Sequence, residues 1–261
     1  MMEKTLSGKN ALVTGSSRGL GYQYAYDLAQ AGANVVIHDI SDQAASQFNE
    51  AASGTAVAAN LAKEFGIKSV FIAANVSDPK QVEKLINESI KALGSIDILV
   101  NNAGGDIGFA TPRPDPNDCL DISVEDIGAV VGNNLLSTMY ACKFAGLHMR
   151  ERGSGKIVNI GSIAGHVPVK QGVIYAAAKL GISYYTRSLA EQMRDYDVNV
   201  NCLSPAPTHT GRFSATRVVE NDDHLPRLKR IAKPKDMSNI VMFLCGPESD
   251  YLTGETIVAW K

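Results

Sequence analysis

The strand-like run Ala11–Thr14 leads into Gly15-Ser16-Ser17-Arg18-Gly19-Leu20-Gly21, and helical character follows from Gly19 to Gly32. This junction restricts the possible folds more than any other stretch. Glycine permits a tight turn, lets backbone approach a phosphate and allows a helix to pack closely on the preceding strand. The amides at the start of that helix carry partial positive charge and suit a pyrophosphate. A glycine cluster alone marks many ordinary turns. Set between a first strand and a first helix, it reads as a dinucleotide-binding turn.

The remainder of the chain repeats the same alternation. Apolar runs at Ala11–Thr14, Asn34–His38, Ser69–Ala73, Ile96–Val100, Ile157–Ile160, Val198–Leu203 and Thr256–Ala259 are separated by stretches of helical periodicity. Near-continuous apolar strands are covered on both faces, so the pattern predicts an α/β fold. The expected architecture is Rossmann-type and doubly wound: a mostly parallel seven-stranded sheet with helices on both faces, a three-layer sandwich. No repeat or linker divides the 261 residues, and one domain spanning 1–261 is expected.

Composition narrows the function. A formal net charge of −2 offers no basic surface for nucleic acid or an acidic membrane. No apolar run is long enough to span a bilayer, and the first ten residues lack a signal-peptide core. Cys119, Cys142, Cys202 and Cys245 are scattered, and the five histidines show no ligand spacing. Reduced thiols, a cytoplasmic location and no metal site are the expectations.

Several residues then stand out at strand ends, where ligands of open α/β sheets gather. Gly15, Ser17, Arg18, Gly19, Leu20 and Gly21 are candidate cofactor contacts in the turn. Asp39, followed by Ile40, ends the second strand; its carboxylate either accepts hydrogen bonds from an adenosine ribose or caps a helix. At the ribose it would repel a 2′-phosphate, whereas the Arg18 guanidinium would attract one. The carboxylate lies closer to that charge, so NAD is favoured over NADP. Asn75 and Val76 are candidate adenine contacts, with Ser77 or Asp78 capping the helix that Pro79 opens. Asn102, Ala103 and Gly104 end the fourth strand, either as a close backbone approach to a ribose or as a plain turn. Tyr175 and Lys179 stand four apart in an alanine-rich helical stretch and so share a face. A neighbouring ammonium favours phenolate, which suits a phenol that moves protons. By itself such a pair is what any helix face shows.

Taken together, Thr14-Gly15-x-x-x-Gly19-x-Gly21, Asn101-Asn102-Ala103-Gly104, Asn134-Leu135, Ser162 and Tyr175-x-x-x-Lys179 resemble the short-chain dehydrogenase/reductase family, in its single-domain subtype of roughly 250 residues. The resemblance covers essentially the whole chain. It implies a catalytic tetrad of Asn134, Ser162, Tyr175 and Lys179 interconverting a secondary alcohol and a ketone with NAD(P), of which Asp39 favours NAD. Tyr175 would serve as general acid or base and Lys179 would lower its pKa and hold the nicotinamide ribose. Ser162 would bind the substrate oxygen. Asn134, within a helix expected from about Ser123 to Arg152, would hold a water leading from Lys179 to solvent. Asn133 is the neighbouring alternative.

By the same resemblance Pro205, Thr208 and Thr210 would contact the nicotinamide, and about 205–230 would form a substrate lid. A homodimer or homotetramer is implied. The other readings are an NADPH-linked 3-oxoacyl thioester reductase, opposed by Asp39, and a non-catalytic dinucleotide sensor, opposed by the tetrad. Three departures from the family pattern are visible. Ala206 replaces the usual glycine after Pro205, the proline-rich loop 105–119 is long, and no Asp-Gly-Gly follows the last strand.

Overall fold

Seven strands pair in the order β3-β2-β1-β4-β5-β6-β7, and every pairing is parallel. They are β1 (Asn10–Val13), β2 (Asn34–Asp39), β3 (Ser69–Ala73), β4 (Ile98–Asn101), β5 (Gly155–Ile160), β6 (Val198–Ser204) and β7 (Thr256–Val258). The computed structural model describes residues 4–216, 222 and 224–259. The expected strands are present, with ends displaced by no more than two residues.

Strand alternation divides the core into two layers. Ala11 and Val13 of β1 turn to one face, with Val35 and Ile37 of β2. There they meet Tyr24 and Leu28 of α1 (Gly19–Gln30), Leu61 of α2 (Gly54–Phe65), and Val241 and Leu244 of α8 (Pro234–Cys245). Leu12, Val36 and Leu99 turn to the other face. They meet Leu85 and Ile86 of α3 (Pro79–Leu93), Met149 of α5 (Ser137–Arg152) and Ala190 of α6 (Val173–Met193). Helices therefore cover both faces of a Rossmann-type sheet.

Strand order reverses between β1 and β4, and the carboxyl ends of these two strands flank the crevice that such a reversal creates. Local signals set the helices that border it. Asp78 accepts from the Lys80 amide and Pro79 occupies the first turn of α3, which Gly94 ends at φ +95°.

The segment expected as one helix from Ser123 to Arg152 is helical throughout from Val124 to Arg152 but carries a π-helical turn within it. α4 (Val124–Val131) and α5 are joined by a π-helical turn, Gly132–Leu136. Side chains bond to the backbone at this turn. The Asn134 amide donates to the Val130 carbonyl, while the Thr138 and Ser137 hydroxyls donate to the Asn134 carbonyl. Such turns widen the helix and re-aim the residues they carry. Loop 105–119 contains no regular element, as its prolines require. Past β6, α7 (Gly211–Thr216) begins the segment expected as a lid, of which residues 217–221 and 223 lie outside the described residues.

Candidate active site

The glycine turn is braced by side chains from three strand ends. Thr14 Oγ1 accepts from the amides of Asn102 (3.0 Å) and Ala103 (2.9 Å), tying the end of β1 to the end of β4. Asn102 Nδ2 returns two bonds, to the carbonyls of Thr14 and Gly15. Gly15 sits at φ +63°, which a side chain would oppose. A Cβ on Gly21 would collide with the Gly15 carbonyl and the Asn102 amide, so α1 approaches this closely only because glycine stands there. On the β2 side, Asp39 is buried and accepts from Ser17 Oγ (2.5 Å) and the Ile40 amide (2.9 Å). The Arg18 guanidinium lies 4.8 Å from the Phe48 ring centre. Glu50 Oε2 accepts from the Gly19 amide at 2.7 Å, so a carboxylate already stands at the start of α1, where an anion is favoured.

Across the crevice, Asn134 reaches from the π turn into the glycine pair after β4. Its Oδ1 accepts from the Gly105 amide (2.9 Å), and its Nδ2 donates to the carbonyls of Gly105 and Val130 (both 2.8 Å). Both amide hydrogens are thereby committed to protein, and the residue is wholly buried. Asn133, the alternative, accepts instead from Ser77 Oγ. Arg212 of α7 donates to the Gly104 carbonyl at 3.2 Å, laying the start of the expected lid over the same glycines.

Tyr175 and Lys179 share a face of α6. The Lys179 Nζ lies 5.7 Å from the Tyr175 ring centre and donates to the Ile160 carbonyl at 2.7 Å. Burial lowers the ammonium from its ordinary value of 10.5 to about 8, against a smaller opposing pull from Cys202. Ser162 lies two residues past the end of β5, and its hydroxyl accepts from the Ala164 amide at 3.2 Å, capping the short turn Ile163–His166. β5 thus supplies the carbonyl that anchors Lys179, with the serine two residues beyond it.

A family profile described as enoyl-(acyl carrier protein) reductase matches residues 15–259. The chain belongs to the short-chain dehydrogenase/reductase family. It is 34% identical to a cyclohexanol dehydrogenase of Rhodococcus sp. (strain TK6), over 97% of this chain and 94% of that one. Among solved structures, a short chain dehydrogenase from Burkholderia cenocepacia J2315 in complex with NADP aligns with a TM-score of 0.82. It is 30% identical and covers 98% of each chain. A 7α-hydroxysteroid dehydrogenase complexed with NADH and 7-oxo glycochenodeoxycholic acid aligns with a TM-score of 0.83 at 25% identity, covering 98% of this chain and 94% of that one.

The remaining candidate contacts are engaged as follows. Thr210 Oγ1 accepts from the Phe213 amide and so caps α7. Its methyl lies 3.8 Å from where a Gly19 Cβ would stand. Thr208 is buried, with its hydroxyl donated to the Ala206 carbonyl. Pro205 accepts the Ile163 amide through its carbonyl. Ala206 avoids positive φ, so the path after β6 accommodates a side chain where the family usually has glycine. Asn75 turns its Oδ1 to the Ser77 amide, Val76 packs against the second core layer, and Ile40 is exposed. The sequence reading missed His38 and Glu50. A histidine directly after the apolar run Val35–Ile37 of β2 was the available signal for the first. No local pattern marks the second.

Proposed function

We propose that the protein is an NAD-dependent dehydrogenase/reductase that interconverts a secondary alcohol and its ketone, with Tyr175 as general acid/base. The observation that carries this reading is the buried Lys179 ammonium, anchored on the Ile160 carbonyl 5.7 Å from the Tyr175 ring centre. A cation held there favours phenolate and lowers the work of taking a proton from an alcohol.

The crevice suits a dinucleotide on its own chemistry: a positive-φ glycine turn, a helix start closed to any side chain at Gly21, and a carboxylate at the end of β2. Gly15, Ser17, Arg18, Gly19, Leu20 and Gly21 would hold the pyrophosphate end. Asp39 and Ile40 would meet the adenosine ribose, Asn75 and Val76 the adenine. Asn102, Ala103 and Gly104 would border the second ribose, with Pro205, Thr208 and Thr210 at the nicotinamide. When bound, the nicotinamide supplies or accepts the hydride. In oxidation, Tyr175 removes the proton from the alcohol oxygen while Ser162 donates to that oxygen. Lys179 holds the phenolate form, and Asn134 fixes the Gly104–Gly105 backbone against which the site is built.

NAD is preferred because Asp39 is buried and already accepts two hydrogen bonds as a carboxylate. A 2′-phosphate would be pressed against that charge. For the substrate, a small secondary alcohol of the class to which cyclohexanol belongs is proposed from the similarity to the Rhodococcus enzyme. His166 pairs with Ser204 Oγ, and Arg212 donates to the Gly104 carbonyl. A dimer or tetramer is proposed through α5 and α6, whose exposed Leu147, Leu180 and Tyr184 need cover. Four free thiols, three of them buried, fit a reducing cytoplasm.

The test is a panel of secondary alcohols followed at the NADH absorbance band, run with NAD and with NADP at matched concentration. Turnover with NAD is expected to exceed that with NADP at least tenfold, the minimum for a charge repulsion of ~1.4 kcal/mol. Reaction only with acyl thioesters and NADPH would replace this reading by the 3-oxoacyl reductase.

A further inference from the structure

We propose that His38 is a positioning residue for dinucleotide binding, its neutral imidazole locking the first glycine of the turn to the end of β3. This rests on the dinucleotide reading of the crevice and adds a residue that makes no contact of its own with the ligand.

The hydrogen bonds dictate the protonation state. The Gly15 amide can only donate, and it points at His38 Nδ1 across 3.1 Å; that nitrogen must therefore present its lone pair. The Ala74 carbonyl can only accept, and it lies 3.1 Å from Nε2, so Nε2 carries the proton. The ring is the neutral Nε2–H tautomer, and an added proton on Nδ1 would face the Gly15 N–H. Burial points the same way, pushing the imidazole down to about 4 against the opposing pulls of Asp39 and the Ala74 carbonyl.

Position gives this bridge its consequence. Gly15 is the first of two positive-φ glycines in the turn, with Gly19 the second. Ala74 immediately precedes Asn75 and Val76, the candidate adenine contacts. The backbone of His38 is clamped as well: its carbonyl accepts the Ser16 amide, and its amide donates to Ser16 Oγ. The ring thus adds a direct tie between the pyrophosphate turn and the adenine edge, beside the β2–β3 ladder that ends with the Ala74 amide on the Asp39 carbonyl. That tie bears on dinucleotide affinity and leaves the proton-transfer pair on α6 untouched.

Two substitutions and one spectrum test the proposal. His38→Leu removes both bonds, whereas His38→Asn keeps an acceptor oxygen near the Nδ1 position. In His38→Leu, KM for NAD should rise about tenfold, the scale of losing the Gly15 bond that holds the phosphate turn, with kcat at saturating NAD within about twofold of wild type. His38→Asn should recover most of that KM. Nitrogen-15 NMR of the wild-type protein at neutral pH should report Nε2 protonated and Nδ1 bare, a measurement that stands even if His38→Leu fails to fold. An unchanged KM in folded His38→Leu, a His38→Asn no better than His38→Leu, or an Nδ1–H tautomer would each overturn the proposal. Wild-type protein that bound neither NAD nor NADP would instead refute the functional reading, leaving the tautomer to test the geometry.

Discussion

Replacing Lys179 by methionine is expected to yield a protein that is more stable at neutral pH and almost inactive. The ammonium is 4% exposed, and its folded-state pKa falls from 10.5 to about 8. At ~1.4 kcal/mol per pH unit, keeping it charged in the folded state costs about 3 kcal/mol. Methionine fills a similar volume without charge but leaves the Ile160 carbonyl without its donor, which takes back ~1–2 kcal/mol. The net gain at pH 7 is ~1–2 kcal/mol, or roughly 4 °C in Tm for a chain of this length.

The sign with pH is fixed by proton linkage. Between about 8 and 10.5 the unfolded wild-type chain holds a proton that the folded chain has released. Wild-type stability therefore gains from this group as pH rises through that window, and the methionine variant has no such gain. Urea or thermal unfolding of both proteins at pH 7 and pH 10 should show the variant ahead at pH 7 and that lead gone at pH 10. Turnover at pH 7, where the wild-type lysine is charged, should fall at least ~100-fold, the scale of a lost acid–base assist. A variant less stable than wild type at pH 7, or a stability gap independent of pH, would refute the claim that Lys179 is held charged against a burial penalty.

Two further outcomes follow from the same geometry. Tyr175→Phe is expected to bind NAD with unchanged affinity by fluorescence titration while kcat falls at least ~1,000-fold; an active Tyr175→Phe enzyme would end the assignment of the proton-transfer residue. Glu50→Gln replaces the charged acceptor on the Gly19 amide by a weaker neutral one, so a dinucleotide phosphate should displace it more readily. KM for NAD should drop about threefold, in line with the difference between charged and neutral hydrogen bonds at a solvent-exposed site, and a KM that rises would show that the carboxylate helps to hold the cofactor.

What could be read from the chain alone was whatever is encoded within a few residues. Apolar runs between helical stretches specified the seven strands, because burial on both faces demands continuous apolar sequence. The glycine turn was legible because its glycines sit between one strand and the next helix, and Tyr175 with Lys179 because four residues make one helical turn. Family spacing singled out Asn134, but not that its amide would sit in a π turn, donating to Val130 while gripping Gly105, 29 residues away. Glu50 reaches Gly19 across 31 residues, and His38 joins partners 23 and 36 residues away. No periodicity marks such bonds, since they depend on which strand ends the parallel sheet sets side by side. Sequence determined the elements and the pairing of Tyr175 with Lys179 on one helix face; tertiary structure decided what braces the glycine turn and the strand ends around it, because a buried polar group takes whatever partner the packed fold brings within reach.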